Sequence, residues 1–100
     1  FRDRVSTAAR YLDEPFQALD LFESDFEDIK SKLDGADLRN TNAGEGRGSQ
    51  TAGAFVISGA PEGTPMVHLD IAGADMTKDE KATGIGQKTL ILYALNEAGK

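Results

Sequence analysis

The apolar positions of the chain fall into short bursts whose period changes several times. Phe1, Val5, Ala8, Ala9 and Leu12 recur three or four residues apart, which predicts an amphipathic helix that Pro15 brings to an end. The run FQALDL reads as a short extended segment. Phe22, Phe26, Ile29 and Leu33 then repeat at four, three and four residues, the stripe of a second helix, with Gly35 placed for a left-handed cap. ADLRN reads as a brief strand. After the glycine-rich NTNAGEGRGSQTAG, Ser49 is placed to cap a helix through Thr51, Ala52, Phe55, Val56 and Ile57, closed by Gly59, Pro61, Gly63 and Pro65. MVHLDIAG is nearly continuously apolar, the pattern of a parallel strand covered on both faces. Beyond the loop ADMTKDEKATG, the segment IGQKTLILYALNEAG predicts a last helix. Its residues Leu90, Ile91, Leu92, Tyr93 and Leu95 are expected to be buried on more than one side, with Gly99 past the end.

Strands alternating with helices predict an α/β fold, and no internal repeat is visible. Two or three strands are too few for a stand-alone parallel sheet, whose strands need neighbours on both sides. The expectation is therefore part of a three-layer mixed sheet with helices on both faces, incomplete on its own. The missing strands would come from upstream sequence or from another chain.

Composition narrows the function classes. A chain of 100 residues makes one small domain or part of a larger one. A net charge of −6 argues against a nucleic-acid or anionic-membrane surface, and no apolar run is long enough to span a bilayer. The segment from Asp13 to Asp37 holds nine carboxylates against Lys30 and Lys32, the composition of a solvated helix face. With no cysteine there is no disulfide and no thiolate metal site, and redox compartment stays open. The FRDRVSTAARYL start lacks the basic, apolar and small-residue regions of a signal peptide.

Several motifs carry a resemblance. His68, Leu69, Asp70, Ile71, Ala72 and Gly73 are followed by Ala82, Thr83, Gly84, Ile85 and Gly86 and by an apolar helix. This order resembles the C-terminal end of the catalytic domain in the leucyl (cytosol) aminopeptidase family. ADLRNT resembles that family's Ala-Asp-Leu-Lys-Asn, and GRGSQTAGAFV its glycine- and alanine-rich helix start. The likeness covers about Asp20 to Leu95 and is strongest over 36–95. The whole chain, 1–100, is read as that C-terminal portion.

The resemblance implies a metal-dependent parent enzyme that releases N-terminal, leucine-like residues from peptides with two divalent ions, zinc or manganese. It also implies a homo-oligomer, a hexamer in the family, working in the cytoplasm. The partners expected are the remainder of the catalytic domain, a peptide substrate and further copies, with no nucleic acid and no membrane. The alternative is a catalytically inactive, aminopeptidase-like structural or assembly subunit, and an unrelated small binding module is a third reading.

Within the chain, the resemblance implies that the loop after MVHLDIAG walls the pocket for the substrate's first side chain, through Ala72 and Met76. Counting without a gap would put Asp75 in place of Met76. NTNAGEGR imitates the family's metal-site loop Asn-Thr-Asp-Ala-Glu-Gly-Arg, yet Asn42 replaces the aspartate, Gly44 is inserted, and the loop stands too close to the His68 strand. It is read as a connector. No dinucleotide or Gly-Lys-Ser/Thr spacing supports a phosphate cradle there. No catalytic residue and no metal ligand is assigned to this chain. His68, the single histidine, is expected to be a hydrogen-bonded core residue. Asp70 is expected to accept backbone amides of the next loop or of the Thr83–Gly84 turn, a structural role shared by Thr83 and Gly84. Asp79 to Lys81 reads as a solvated turn. Ser24, Ser31 and Ser58 have no histidine at a spacing that suggests a triad.

Overall fold

Helices and irregular segments dominate the computed structural model, which describes residues 1–14, 16–40 and 46–100. Among these, the helices are α1 (Arg2–Tyr11), α2 (Glu23–Asp28), α3 (Gly48–Ser58) and α4 (Gln87–Ala98). The expected helix stop at Pro15, and the substitutions and insertion noted at Asn42 and Gly44, lie outside the described residues. The backbone gathers into two units, Phe1–Ala18 with Leu69–Lys100, and Leu19–His68.

In the first unit α1 packs on α4. Val5, Ala8 and Ala9 form the buried stripe of α1, as its three-and-four spacing requires. The Phe1 ring meets Tyr93 at 5.3 Å, and Arg4 pairs with Glu97 at 3.5 Å. The start of α1 lies beside the second half of α4, while Glu14, just past the end of α1, accepts Gly86 N at the start of α4, so the two run antiparallel. At its own end α1 stops in a Schellman turn. Glu14 N donates to Ala9 O at 2.8 Å, Asp13 N donates to Arg10 O at 3.1 Å, and Asp13 takes the left-handed conformation at φ 54°. The small acidic side chain tolerates this where most would not.

In the second unit α2 packs on α3, and Ile29 and Ala54 are the buried apolar residues. The long second helix expected from Phe22 to Leu33 stops at Asp28. The chain there folds back on itself: Arg39 N donates to Ile29 O at 2.7 Å and Ser31 N to Asp37 O at 3.0 Å, around a bend at Gly35. Gly35 is left-handed at φ 82°, but in that bend and not as a helix cap. α3 begins one residue before Ser49, and no side chain caps it. Thr51 instead turns its hydroxyl back onto Arg47 O and Gly48 O, at 3.1 and 3.0 Å. At Gly53 the helix backbone runs so close to His68 and Leu21 that an added Cβ would stand 3.4 Å from His68 Nδ1.

The mixed sheet expected from the sequence is absent among the described residues, and the α/β assignment is overturned. Strand pairing is confined to two isolated antiparallel bridges, Lys30 with Leu38 and Met76 with Ala82. MVHLDIAG and FQALDL lie in no ladder. The physical reason is that apolar pattern specifies only which faces want burial, whereas a strand exists through the hydrogen bonds of a neighbour. No such neighbour is found among the described residues. The same applies to α4: Leu90, Ile91 and Leu95 were expected to be buried, yet Ile91 is 61% and Leu95 65% exposed.

So much apolar surface beside so small a core makes a measurable prediction. The isolated 100-residue chain is expected to bind a hydrophobic dye and to self-associate in size-exclusion chromatography. A monomer with one sharp two-state thermal transition would contradict this.

Candidate functional site

The segment from Asp70 to Gly86, all in the first unit, is built almost entirely from short hydrogen bonds. Asp70 Oδ1 accepts Ala72 N at 3.1 Å, an Asx turn that starts the loop. Ala74 N donates to Ile71 O at 3.0 Å, and Gly73 stands at φ 84° in the third position of that turn, where L side chains are strained. The chain then runs out and back as a narrow hairpin. Met76 pairs with Ala82, Thr77 N donates to Lys81 O at 2.8 Å, and Thr83 N donates to Asp75 O at 2.9 Å. Its tip is closed by Thr77, whose hydroxyl donates to Asp79 Oδ1 at 2.8 Å and accepts Lys81 N at 3.0 Å. That hydroxyl bond is the main cause holding the Asp79 carboxyl below its usual range.

Thr83 closes the base of the hairpin. Its hydroxyl donates to Ala74 O at 2.6 Å and accepts Ile85 N at 3.3 Å. Gly84 and Gly86 both have positive φ, 69° and 89°, and lead directly into α4. Ala72 and Met76 therefore lie on one tied loop, both exposed, with Met76 at 49%. Asp75 is half-buried and holds Thr83 through its own carbonyl. What this loop offers chemically is a shaped, partly apolar surface on a fixed backbone.

The second unit carries the one strongly coupled charge pair among the described residues. Arg47, the last residue of the NTNAGEGR motif, sends Nε to Asp25 Oδ1 at 2.7 Å and Nη2 to Asp25 Oδ2 at 3.2 Å. The same Nη2 donates to Asp20 O at 2.8 Å, and the guanidinium carbon stands 4.4 Å from the ring centroid of Phe22. Asp25 is 0% exposed and also accepts Phe22 N at 2.7 Å. The Arg47 hydrogen bond is the largest cause holding the Asp25 carboxyl below its usual range, against the opposing effect of burial. Arg47 in turn is pushed up, first by its hydrogen bond to Asp25. The arginine that the glycine-rich stretch shares with a catalytic loop is thus bound to a buried carboxylate.

A cavity of about 310 Å³ lies in this unit between Ile29, Arg39, Thr51, Ala52, Phe55 and Val56. Arg39 on its rim donates Nε to Asp28 O at 3.1 Å. No group of three His, Cys, Asp or Glu side chains stands together as a metal ion would need among the described residues. His68 is half-buried beside Gly53.

Two residues escaped the sequence reading, both inside the acidic block. Asp25 carried a signal: it falls on the apolar stripe, three residues after Phe22 and four before Ile29, where a carboxylate needs a cation. Glu14 carried none beyond its place after the helical pattern. Its Oε1 accepts Gly86 N at 3.0 Å and the Thr89 hydroxyl at 2.8 Å, across more than seventy residues. The other seven carboxylates of the block are exposed.

A tied loop leading into an apolar helix, after a helix entered from a glycine-rich stretch, keeps part of the order that the motifs implied, without the strand expected before the loop. The family model for the cytosol aminopeptidase family, catalytic domain, matches residues 1–91. The chain belongs to the cytosol aminopeptidase family. It is 40% identical over 98 residues to a "Probable cytosol aminopeptidase" of Gloeobacter violaceus, covering 92% of this chain and 19% of that protein. A protein of the same name from Corynebacterium diphtheriae is 33% identical over 105 residues, covering 98% of this chain and 21% of the relative. "Putative leucine aminopeptidase 1" of Oryza sativa subsp. japonica is 37% identical over 92 residues, 91% of this chain and 16% of that protein. The chain thus spans about a fifth of the length of the curated relatives it matches. No solved structure matches it significantly. No helix among the described residues is long and apolar enough to cross a membrane.

Proposed function

We propose that this chain is the C-terminal piece of a metal-dependent aminopeptidase that removes N-terminal, leucine-like residues from peptides. In this reading the piece completes the fold, and its loop walls the substrate's first side chain through Ala72 and Met76. The observation that carries the reading is the family match over residues 1–91. The exposed, hydrogen-bonded loop from Asp70 to Gly86 supports the assignment of the wall, because a pocket wall needs both surface and a fixed backbone. Asp70, Thr83 and Gly84 then serve as structural supports of the wall.

The rest of the catalytic domain, from upstream sequence or another chain, is the partner that covers Leu90, Ile91 and Leu95. A cytoplasmic homo-oligomer, a hexamer, completes the proposal. The described residues do not fit the two divalent ions, zinc or manganese, and none is assigned to them. What these residues do is bind and orient an apolar side chain.

The test uses the full-length protein, stripped of metal by a chelator and assayed on leucyl peptides with and without zinc or manganese. Hydrolysis that returns with the metal is expected. Full activity in the stripped protein, or none under any condition, would overturn the reading. The 100-residue chain alone is expected to release no leucine with either metal. Metal-dependent release from it above a blank would move the site into this chain.

A further inference from the structure

We propose that Glu14 is a positioning residue for the pocket wall, an inference that rests on the assignment of that wall to the loop carrying Ala72 and Met76. Glu14 is not near the loop in sequence, and it meets the loop only at its last residue, Gly86. It acts through the start of α4.

The first residues of a helix leave amides without intrahelical acceptors, and the peptide dipoles make that end positive. At α4 no side chain of the helix's own first turn fills this need. The carboxylate comes instead from the segment that follows α1. The Schellman turn that ends α1 brings Glu14 to α4, where Oε1 takes both Gly86 N and the fully buried Thr89 hydroxyl. Gly86 is fixed as a consequence. Its left-handed φ of 89° directs the backbone back from α4 into the Gly84–Ile85 turn.

From there the connections to the wall are direct. Ile85 N holds the Thr83 hydroxyl, and that hydroxyl donates to Ala74 O between Ala72 and Met76. Thr83 N holds Asp75 O, beside Met76. Each step is a hydrogen bond at the base of the hairpin and not at its exposed tip. Shifting Gly86 would shift Thr83, and with it the backbone that presents Met76. A pocket that recognises an apolar side chain by contact is sensitive to such sub-ångström displacement.

The experiment compares Glu14→Ala, Glu14→Gln, Thr83→Val and Met76→Ala with the wild-type full-length protein on leucyl and alanyl peptides. Loss of Glu14 is expected to lower the leucyl-to-alanyl ratio of kcat/KM several-fold, through a raised KM for the leucyl peptide, with kcat kept within about twofold. Glu14→Gln, which keeps an oxygen for Gly86 N and Thr89, should restore most of the ratio, as a general loss of stability would not. Thr83→Val cuts the connection one link later and should reproduce the Glu14→Ala ratio; it carries the comparison if Glu14→Ala does not fold. If Met76→Ala changes the ratio while Glu14→Ala and Thr83→Val leave it unmoved, the positioning role is wrong and the wall stands. If Met76→Ala leaves it unmoved, the wall assignment fails. Hydrogen exchange across residues 72–86 then decides on Glu14 alone: faster exchange in Glu14→Ala that Glu14→Gln reverses supports the hold on the loop, and unchanged exchange overturns it.

Discussion

Replacing Met76 with alanine in the full-length protein is expected to lower kcat/KM for leucyl peptides by about tenfold or more, with alanyl peptides much less affected. Met76 is half exposed on a loop whose backbone is fixed on both sides, by the bridge to Ala82 and by Thr83. An unbranched thioether adapts its shape to an apolar partner. Removing it takes away contact worth about 1–3 kcal/mol for a side chain that reaches the wall, and little for one that does not. Asp75→Ala supplies the contrast. Asp75 contributes its backbone carbonyl to the hairpin, which alanine retains, so the leucyl-to-alanyl ratio should hold. A reversed result, with Asp75→Ala changing the ratio and Met76→Ala leaving it alone, would mean that Asp75 faces the substrate.

The second large effect concerns Asp25. Arg47→Ala leaves a fully buried carboxylate with Phe22 N as its remaining partner among the bonds described above. A buried charged acceptor without its donor costs on the order of 2 kcal/mol or more, and the thermal midpoint should fall accordingly. The pair also sets an acid limit. The folded Asp25 carboxyl titrates below its usual value, so the unfolded chain binds its proton more readily. Its contribution to stability is complete above the ordinary carboxylate range, near pH 4, and is lost as pH falls through the lower folded value. Asp25→Asn should remove that part of the acid dependence. Equal acid sensitivity in wild type and Asp25→Asn, followed by chemical denaturation from pH 5 downward, would show that the pair does not set the limit.

How much of this was legible in the sequence differs from element to element. α1 follows from spacing alone, because three-and-four periodicity with Val5, Ala8 and Ala9 on one face is a property of the segment itself. The apolar run from Leu90 to Leu95, by contrast, foretold the helix α4 but not which of its faces is covered. The stretch from Phe22 to Leu33 shows where that logic fails. Its stripe is helical throughout, yet the chain leaves the helix after Asp28 because the backbone of residues 29–31 finds partners in 37–39. MVHLDIAG fails in the opposite sense, since its pattern asks for a sheet that the described residues do not supply. In the loop, Asp70 opens an Asx turn, the Thr83 hydroxyl donates to Ala74 O and Gly84 is left-handed; their role as supports of the wall belongs to the proposal. The composition of the Asp13–Asp37 segment places Glu14 and Asp25 on a solvated acidic face, where the structure does not put them. A carboxylate that meets its partner 72 residues away leaves no local pattern.

The most direct measurement of the central claim is a structure of the full-length protein with a leucine-like inhibitor bound. The account predicts the inhibitor's isobutyl group in contact with Met76, heavy atoms within about 4 Å, and the Ala72 backbone beside it. An isobutyl group seated elsewhere, with the Asp70–Gly86 loop turned away from the inhibitor, would contradict it.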